Sequence, residues 1–355
     1  MDILTDLNSD SDYSSRKLQF IIGAWVMSDP VERLIKLQKS KTKISVSDGD
    51  VKEEDYSKQS IYSLLYSIYR TVGEVESETG EFYEMTFNTW GYAWPTEWGT
   101  NTTISASDPQ RFGKNAYTGL FEAAPVKRYI EAHDGKVNIV EMGCGTGGGA
   151  HHICTNVLPK CTYEAVDMQA AAINTCNRRH VPKCGGRLKA TCSDATQLNI
   201  PAGSVDFVVV NETHVTERAG RVTAEDERFF STAFNMLKPG GFLVWGNAIP
   251  DNTWQPCFEY LESLGMTNEA ELDVTKEAVQ ARDEDEARVE AFVNSCLDRF
   301  HAFKIPRYGK RKRNEARQAM RNFFRDPGTN LYRNMTDGTD TYRVVAFKKP
   351  SDAVR

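Results

Sequence analysis

The sequence has no apolar run approaching the ~18 residues that a membrane-spanning helix requires. It also lacks the layout of a secretory leader. The apolar stretch 20–26 follows an acidic, Ser- and Asp-rich opening with no basic segment before it, so no export signal is expected. No two cysteines form a C-x-x-C pair. The eight stand at 144, 154, 161, 176, 184, 192, 257 and 296. That spacing suits neither a zinc knuckle nor a disulfide framework, and a chain of 355 residues can bury a core without covalent staples. Free thiols in a reducing compartment, the cytoplasm, are expected, with no metal. Basic charge is not in excess either: 43 Lys and Arg stand against 49 Asp and Glu, a net of −6. This argues against a general nucleic-acid binder. The segment 304–313 does hold six basic residues in ten, and it reads as a solvated loop balancing the acidic run 283–286. Repeats and low-complexity tracts are absent.

What is present changes character along the chain. Leu18, Ile21, Ile22, Trp25, Val26, Val31, Leu34 and Ile35 recur at helical spacing and predict a helix over 16–39, interrupted at Pro30. Ile61, Leu64, Leu65, Ile68 and Val72 predict a second over 61–72. Residues 82–99 are irregular and aromatic-rich. From Lys136 onward strands and helices alternate: strands over 137–142, 162–166, 187–192, 205–210 and 242–245, and helices over 147–158, 170–179 and 225–237. A charged helix over 276–300 and a last strand over 341–347 complete the pattern. Such βαβ alternation with short connections predicts a parallel, doubly wound α/β sheet covered on both faces. A helical region of residues 1–130 precedes it.

The most informative stretch is Val137-Asn-Ile-Val-Glu-Met-Gly-Cys-Gly-Thr-Gly-Gly-Gly-Ala150. A plain strand-to-helix turn accounts for one or two glycines, not for five within seven residues. Glycines 143, 145 and 147 allow a tight turn and close approach of a ligand to the backbone. Two ligand classes fit. Gly143-x-Gly145-x-x-Gly148 with Asp167 downstream satisfies the dinucleotide fingerprint of a nicotinamide-dependent oxidoreductase. Glu141 two residues before Gly143, in the order Glu-x-Gly-x-Gly-x-Gly, resembles instead the first motif of class I S-adenosylmethionine-dependent methyltransferases.

Further positions agree with that resemblance. Asp167 ends the second strand, where the family holds the donor's ribose, with Met168 beside it. Cys192-Ser-Asp-Ala195 ends the third, where Asp194 and Ala195 would meet the adenine. The segments 200–210 and 237–242 resemble the family's approaches to its fourth and fifth strands. Asn211 ends the fourth. Within the superfamily the chain is similar to lipid and natural-product methyltransferases of the phthiotriol and phenolphthiocerol dimycocerosate type. This rests on Phe87-Asn-Thr-Trp-Gly-Tyr92, the triple glycine, Asp167-Met-Gln, Asn211-Glu-Thr-His214 and the 332–347 region.

The resemblance implies a Rossmann-like methyltransferase domain over 131–355, with a C-terminal helical insertion and with S-adenosylmethionine as methyl donor. The acceptor it implies is a small molecule or lipid. A hydroxyl acceptor needs a base with a pKa near neutrality, which points to His214, just past the fourth strand. Glu212 is placed to orient it or to contact the donor. His151 and His152, at the start of the first helix, read as packing residues. Trp90, Tyr92, Trp94 and Trp98, with glycines and a proline between them, read as a lid or substrate wall. The near alternatives are C-methylation of an isoprenoid or sterol and S- or N-methylation of a small metabolite. The apolar face of the N-terminal helices offers a surface for a homodimer.

Overall fold

A strand covered on both faces needs no polar alternation. Strand β4 (Val205–Asn211), buried at every residue, shows this directly. Phe207 and Val209 enter one core while Val208 and Val210 enter the other. The same period of two divides β1 (Asn138–Met142) and β5 (Leu237–Pro250).

The computed structural model describes residues 86–87, 89–99, 104–213, 220–298, 313–314, 317–318, 320–321 and 326–351. The helices predicted at 16–39 and 61–72, the dimer surface they would offer, and residues 304–312 of the basic segment lie outside the described residues. The chain divides into two compact units. One comprises residues 85–285 and 331–355, the other residues 1–84 and 286–330.

The first of these units is built on a seven-stranded sheet in the order β3-β2-β1-β4-β5-β7-β6. Strands β2 (Thr162–Asp167), β3 (Leu188–Cys192), β1, β4 and β5 are mutually parallel. The parallel sheet expected from the alternation covers these five. The last two depart from it: β7 (Asp340–Lys348) runs antiparallel between β5 and β6 (Thr267–Asp273). The order reverses around β1 and β4, and open α/β sheets place ligands beyond the strand C-termini at such a point.

Helices α1 (Arg111–Gly119), α2 (Ala124–Ala132), α3 (Gly148–His152) and α4 (Ala170–Arg179) cover one face, together with Val274 and Ala278. Helices α5 (Ala224–Met236) and α6 (Asp251–Ser263) cover the other. The helix expected over 147–158 is α for five residues and then widens to a π-turn at Ile153–Val157. The charged helix is α7 (Thr275–Asp298), and a short α8 (Asn330–Thr336) precedes β7. No described helix is long and apolar enough to cross a membrane.

Candidate functional site

Beyond Met142 the chain turns through Gly143, Gly145 and Gly147, at φ of 91°, 54° and 82°. The amides of Gly143 and Cys144 donate to the Val166 carbonyl at 2.8 and 2.9 Å, tying the turn to β2. A Cβ on Gly143 would lie 2.0 Å from Thr213 Oγ1, and one on Gly147 2.2 Å from Cys176 Sγ. Packing therefore requires both glycines independently of their dihedrals.

Gly145 connects the turn to Asp167, the last residue of β2. Its amide donates to Asp167 Oδ2 at 2.9 Å, and the Gln169 amide donates to Oδ1 at 2.8 Å. Burial raises the Asp167 pKa to about 6 against these two bonds, which lower it. A carboxylate offers about four acceptor sites. The two backbone amides use two of them. Met168 follows, half-exposed, the only large apolar side chain on the surface among the described residues. The Ser193 amide donates to the Asp167 carbonyl at 3.0 Å, joining the ends of β2 and β3. Asp194 is exposed and caps the turn Ala195–Gln197, accepting the Thr196 amide and hydroxyl at 2.8 Å each. Ala195 is half-buried beside it.

Glu141 is fully buried. Its carboxylate takes the Tyr117 hydroxyl at 2.8 Å and the Tyr163 hydroxyl at 3.0 Å. Burial pushes its pKa up to about 7, the two phenols pulling it down and Asp167 adding to the rise. Sequence reasoning missed both tyrosines. Tyr163 lies on β2, two register steps from the Glu141 pair, where the period of two could have found it. Tyr117 comes from α1, and no spacing rule reaches it. Asn211, at the end of β4, is buried beside Tyr117.

The four aromatic residues do not form one wall. Tyr92 is fully enclosed, edge-on to Trp98 and Tyr342 with ring centroids 6.2 and 5.3 Å away. It is a packing residue with no surface for a ligand. Trp94 donates its indole N–H to the Gly99 carbonyl at 3.0 Å and packs edge-on against Trp98 at 5.0 Å. Trp90 is half-buried in a turn held by Glu212.

Glu212 adopts a left-handed φ of 47°. Its carboxylate accepts the Trp90 amide at 2.9 and 3.0 Å, the Gly91 amide at 3.2 Å, the Tyr342 hydroxyl at 2.8 Å and the Thr89 hydroxyl. His214 lies outside the described residues. His152 is buried, bonded to Thr118 Oγ1 at 2.9 Å, and burial lowers its pKa to about 4. It packs in neutral form. His151 lies against His180 with ring centroids 5.1 Å apart.

Residues 139–241 match the methyltransferase domain family. The chain is 24% identical over 215 residues to a fatty-acid O-methyltransferase of Mycolicibacterium smegmatis, covering 60% of this chain and 68% of that one. It is 25% identical over 215 residues to a phthiotriol/phenolphthiotriol dimycocerosates methyltransferase of Mycobacterium tuberculosis, covering 61% and 70%. In fold it is similar to the crystal structure of the [4+2]-cyclase SpnF, with a TM-score of 0.56 at 16% identity over 83% of this chain and 96% of that one.

Proposed function

We propose, from the premise that this chain is a class I S-adenosylmethionine-dependent methyltransferase, that it methylates a hydroxyl oxygen of a lipid or natural product with His214 as general base. The observation that carries the donor assignment is the junction of Gly145 and Asp167, where two backbone amides use two of the carboxylate's about four acceptor sites. The buried Asn211 at the neighbouring strand end and the exposed Met168 fit the same ligand, which has a ribose, a flat base and a polar amino-acid tail. Asp167 would hold the ribose hydroxyls, and Met168 and Ala195 would flank the adenine, with Asp194 at its edge. The glycine turn would leave room for the tail beside Asn211 and Glu141.

S-Adenosylmethionine supplies, when bound, a methyl group already activated on a sulfonium sulfur. The protein's tasks are to align the acceptor oxygen in line with that group, exclude water and take the acceptor's proton. Residues 89–91, half-buried Trp90 included, would contribute the water-excluding side. Imidazole at position 214 would receive the hydroxyl proton at a ring nitrogen. The name of one relative, a fatty-acid O-methyltransferase, supports an oxygen acceptor on a lipid.

The fatty-acid relative also favours a second reading, in which the acceptor is a carboxylate. It arrives already ionised, and no base is needed. Transfer of labelled methyl from S-adenosylmethionine to fractionated lipids of the source cell, with mass-spectrometric identification of the product, tests the proposal. Product carrying the label as a methyl ether supports it. A methyl ester supports the second reading, and label on carbon, nitrogen or sulfur overturns both.

A further inference from the structure

We propose that Glu212 is a positioning residue: its carboxylate fills an anion cradle made by residues 89–91 and thereby fixes that segment as a roof over the strand ends. Backbone and side-chain donors converge on it from two elements. The consecutive amides of Trp90 and Gly91 both point at the carboxylate, joined by the hydroxyls of Thr89 and of Tyr342 on β7. Successive amides in a turn with one left-handed residue form a concavity suited to an anion. Gly91, at φ 64°, is that residue. A Cβ there would come within 2.2 Å of the Phe112 carbonyl oxygen, so the close approach excludes a side chain.

The other side of the same peptide is also held. The buried Arg282 guanidinium donates to the Trp90 carbonyl, and the Ala93 amide donates to the Glu277 carbonyl at 2.9 Å. At its start the segment touches the glycine turn. Thr146 Oγ1 donates to the Thr86 carbonyl at 3.2 Å, and a Cβ on Gly148 would lie 2.2 Å from that oxygen. Residues 86–87 therefore lie at the loop after β1, and residues 89–91 at the end of β4. Glu212 sits there in a backbone conformation that side chains seldom adopt, held by its own contacts.

This arrangement occupies the carboxylate with donors. It acts through the roof, a role different from the expected orienting of His214 or contact with the donor. That the roof closes over a methyl-transfer site rests on the function proposed above. The cradle itself does not, and its test uses neither donor nor acceptor.

Hydrogen exchange read by mass spectrometry on a peptide spanning 86–98 is the experiment. Glu212→Gly removes the carboxylate and suits the left-handed φ. Exchange at the Trp90 and Gly91 amides should accelerate by about 10–100-fold, the factor set by charge-assisted bonds. Peptides from β1, β4 and β5 should keep their wild-type rates. Sodium formate at tens of millimolar should restore protection of the two amides, and formamide should not, because the cradle selects an anion. Should Glu212→Gly fail to fold, the double variant Thr89→Ala and Tyr342→Phe keeps the carboxylate but removes two donors. It should accelerate the same two amides by a smaller factor. Unchanged exchange at 90–91, acceleration spread equally over β4 and β5, or equal rescue by formate and formamide would overturn the proposal.

Discussion

Asp167 and Glu141 are the two carboxylates whose surroundings most change their chemistry. If Asp167 clamps the donor's ribose, Asp167→Ala should weaken S-adenosylhomocysteine binding by about 1.5–3 kcal/mol, the scale of a charged hydrogen-bonding partner. Isothermal calorimetry reads this directly, and unchanged affinity in a folded variant would place the residue outside the site. Glu141 carries a stability consequence instead. Its folded pKa of about 7 lies above the ordinary carboxylate value. The stability it provides is therefore complete below the unfolded pKa near ~4.3 and is lost as pH rises through ~7. Wild type should lose about 1–3 kcal/mol relative to Glu141→Gln between pH 4.5 and 8, measured by urea denaturation across that range. Asp167, raised to about 6, shifts in the same direction over a lower window. A gap between the two proteins that stays constant with pH would show that Glu141 ionises normally.

Among the elements, the junction of α1 with α3 has the least slack. Gly149 on α3 lies so close to the Tyr117 ring that a Cβ there would fall 1.9 Å from it. Gly149→Ala should cost about 1–3 kcal/mol by overpacking and displace Tyr117 from Glu141. With Tyr117→Ala in the same chain most of that cost should vanish, a non-additivity that a double-mutant cycle measures. Additive effects would separate the two helices. This contact also marks the limit of sequence reading. The strands were legible because both faces of the sheet are apolar and the period of two survives, as in β4. The glycine turn was legible because its dihedrals admit few other residues. Helix α6 was not. Pro256 stands inside it and reads in sequence as a break, although the helix continues through it and Thr253, Trp254, Cys257, Phe258 and Leu261 line one buried face. Strand β6 was missed because, as an edge strand, it alternates half-buried and exposed polar residues and leaves little apolar signal. Local sequence brought Glu141, the glycine turn and Asp167 to notice together, and the structure joins the turn to Asp167 through the Gly145 amide. Long-range contacts were not legible: Tyr92 is enclosed by Tyr342, 250 residues away, and Glu212 is bonded to the same tyrosine, 130 residues away.

For the molecule as a whole, the first expectation is ligand discrimination. S-Adenosylhomocysteine at ~100 times its dissociation constant should add about 2.7 kcal/mol of stability and raise the melting temperature, while NAD should leave it unchanged. A shift with NAD alone would restore the oxidoreductase alternative left open by the glycine pattern. The second is the proton. With a hydroxyl acceptor, His214→Ala should lower turnover by about 10²–10⁴-fold while donor affinity holds, and the wild-type rate should rise with pH through an imidazole pKa. With a carboxylate acceptor that limb should be missing. Steady-state rates between pH 5 and 9 separate the two. The order of the sheet has a consequence of another kind. Strand β7, residues 340–348, fills the gap between β5 and β6 and is paired on both sides. While the protein is being synthesised, β5 and β6 must therefore wait with unpaired edges until residue 348 has cleared the ribosome. During that interval the half-built sheet exposes backbone donors and acceptors to other nascent chains. Arrested chains ending before residue 340 should consequently be held by chaperones or aggregate, whereas those extended past 348 by the length of the exit tunnel should become protease-resistant in one step.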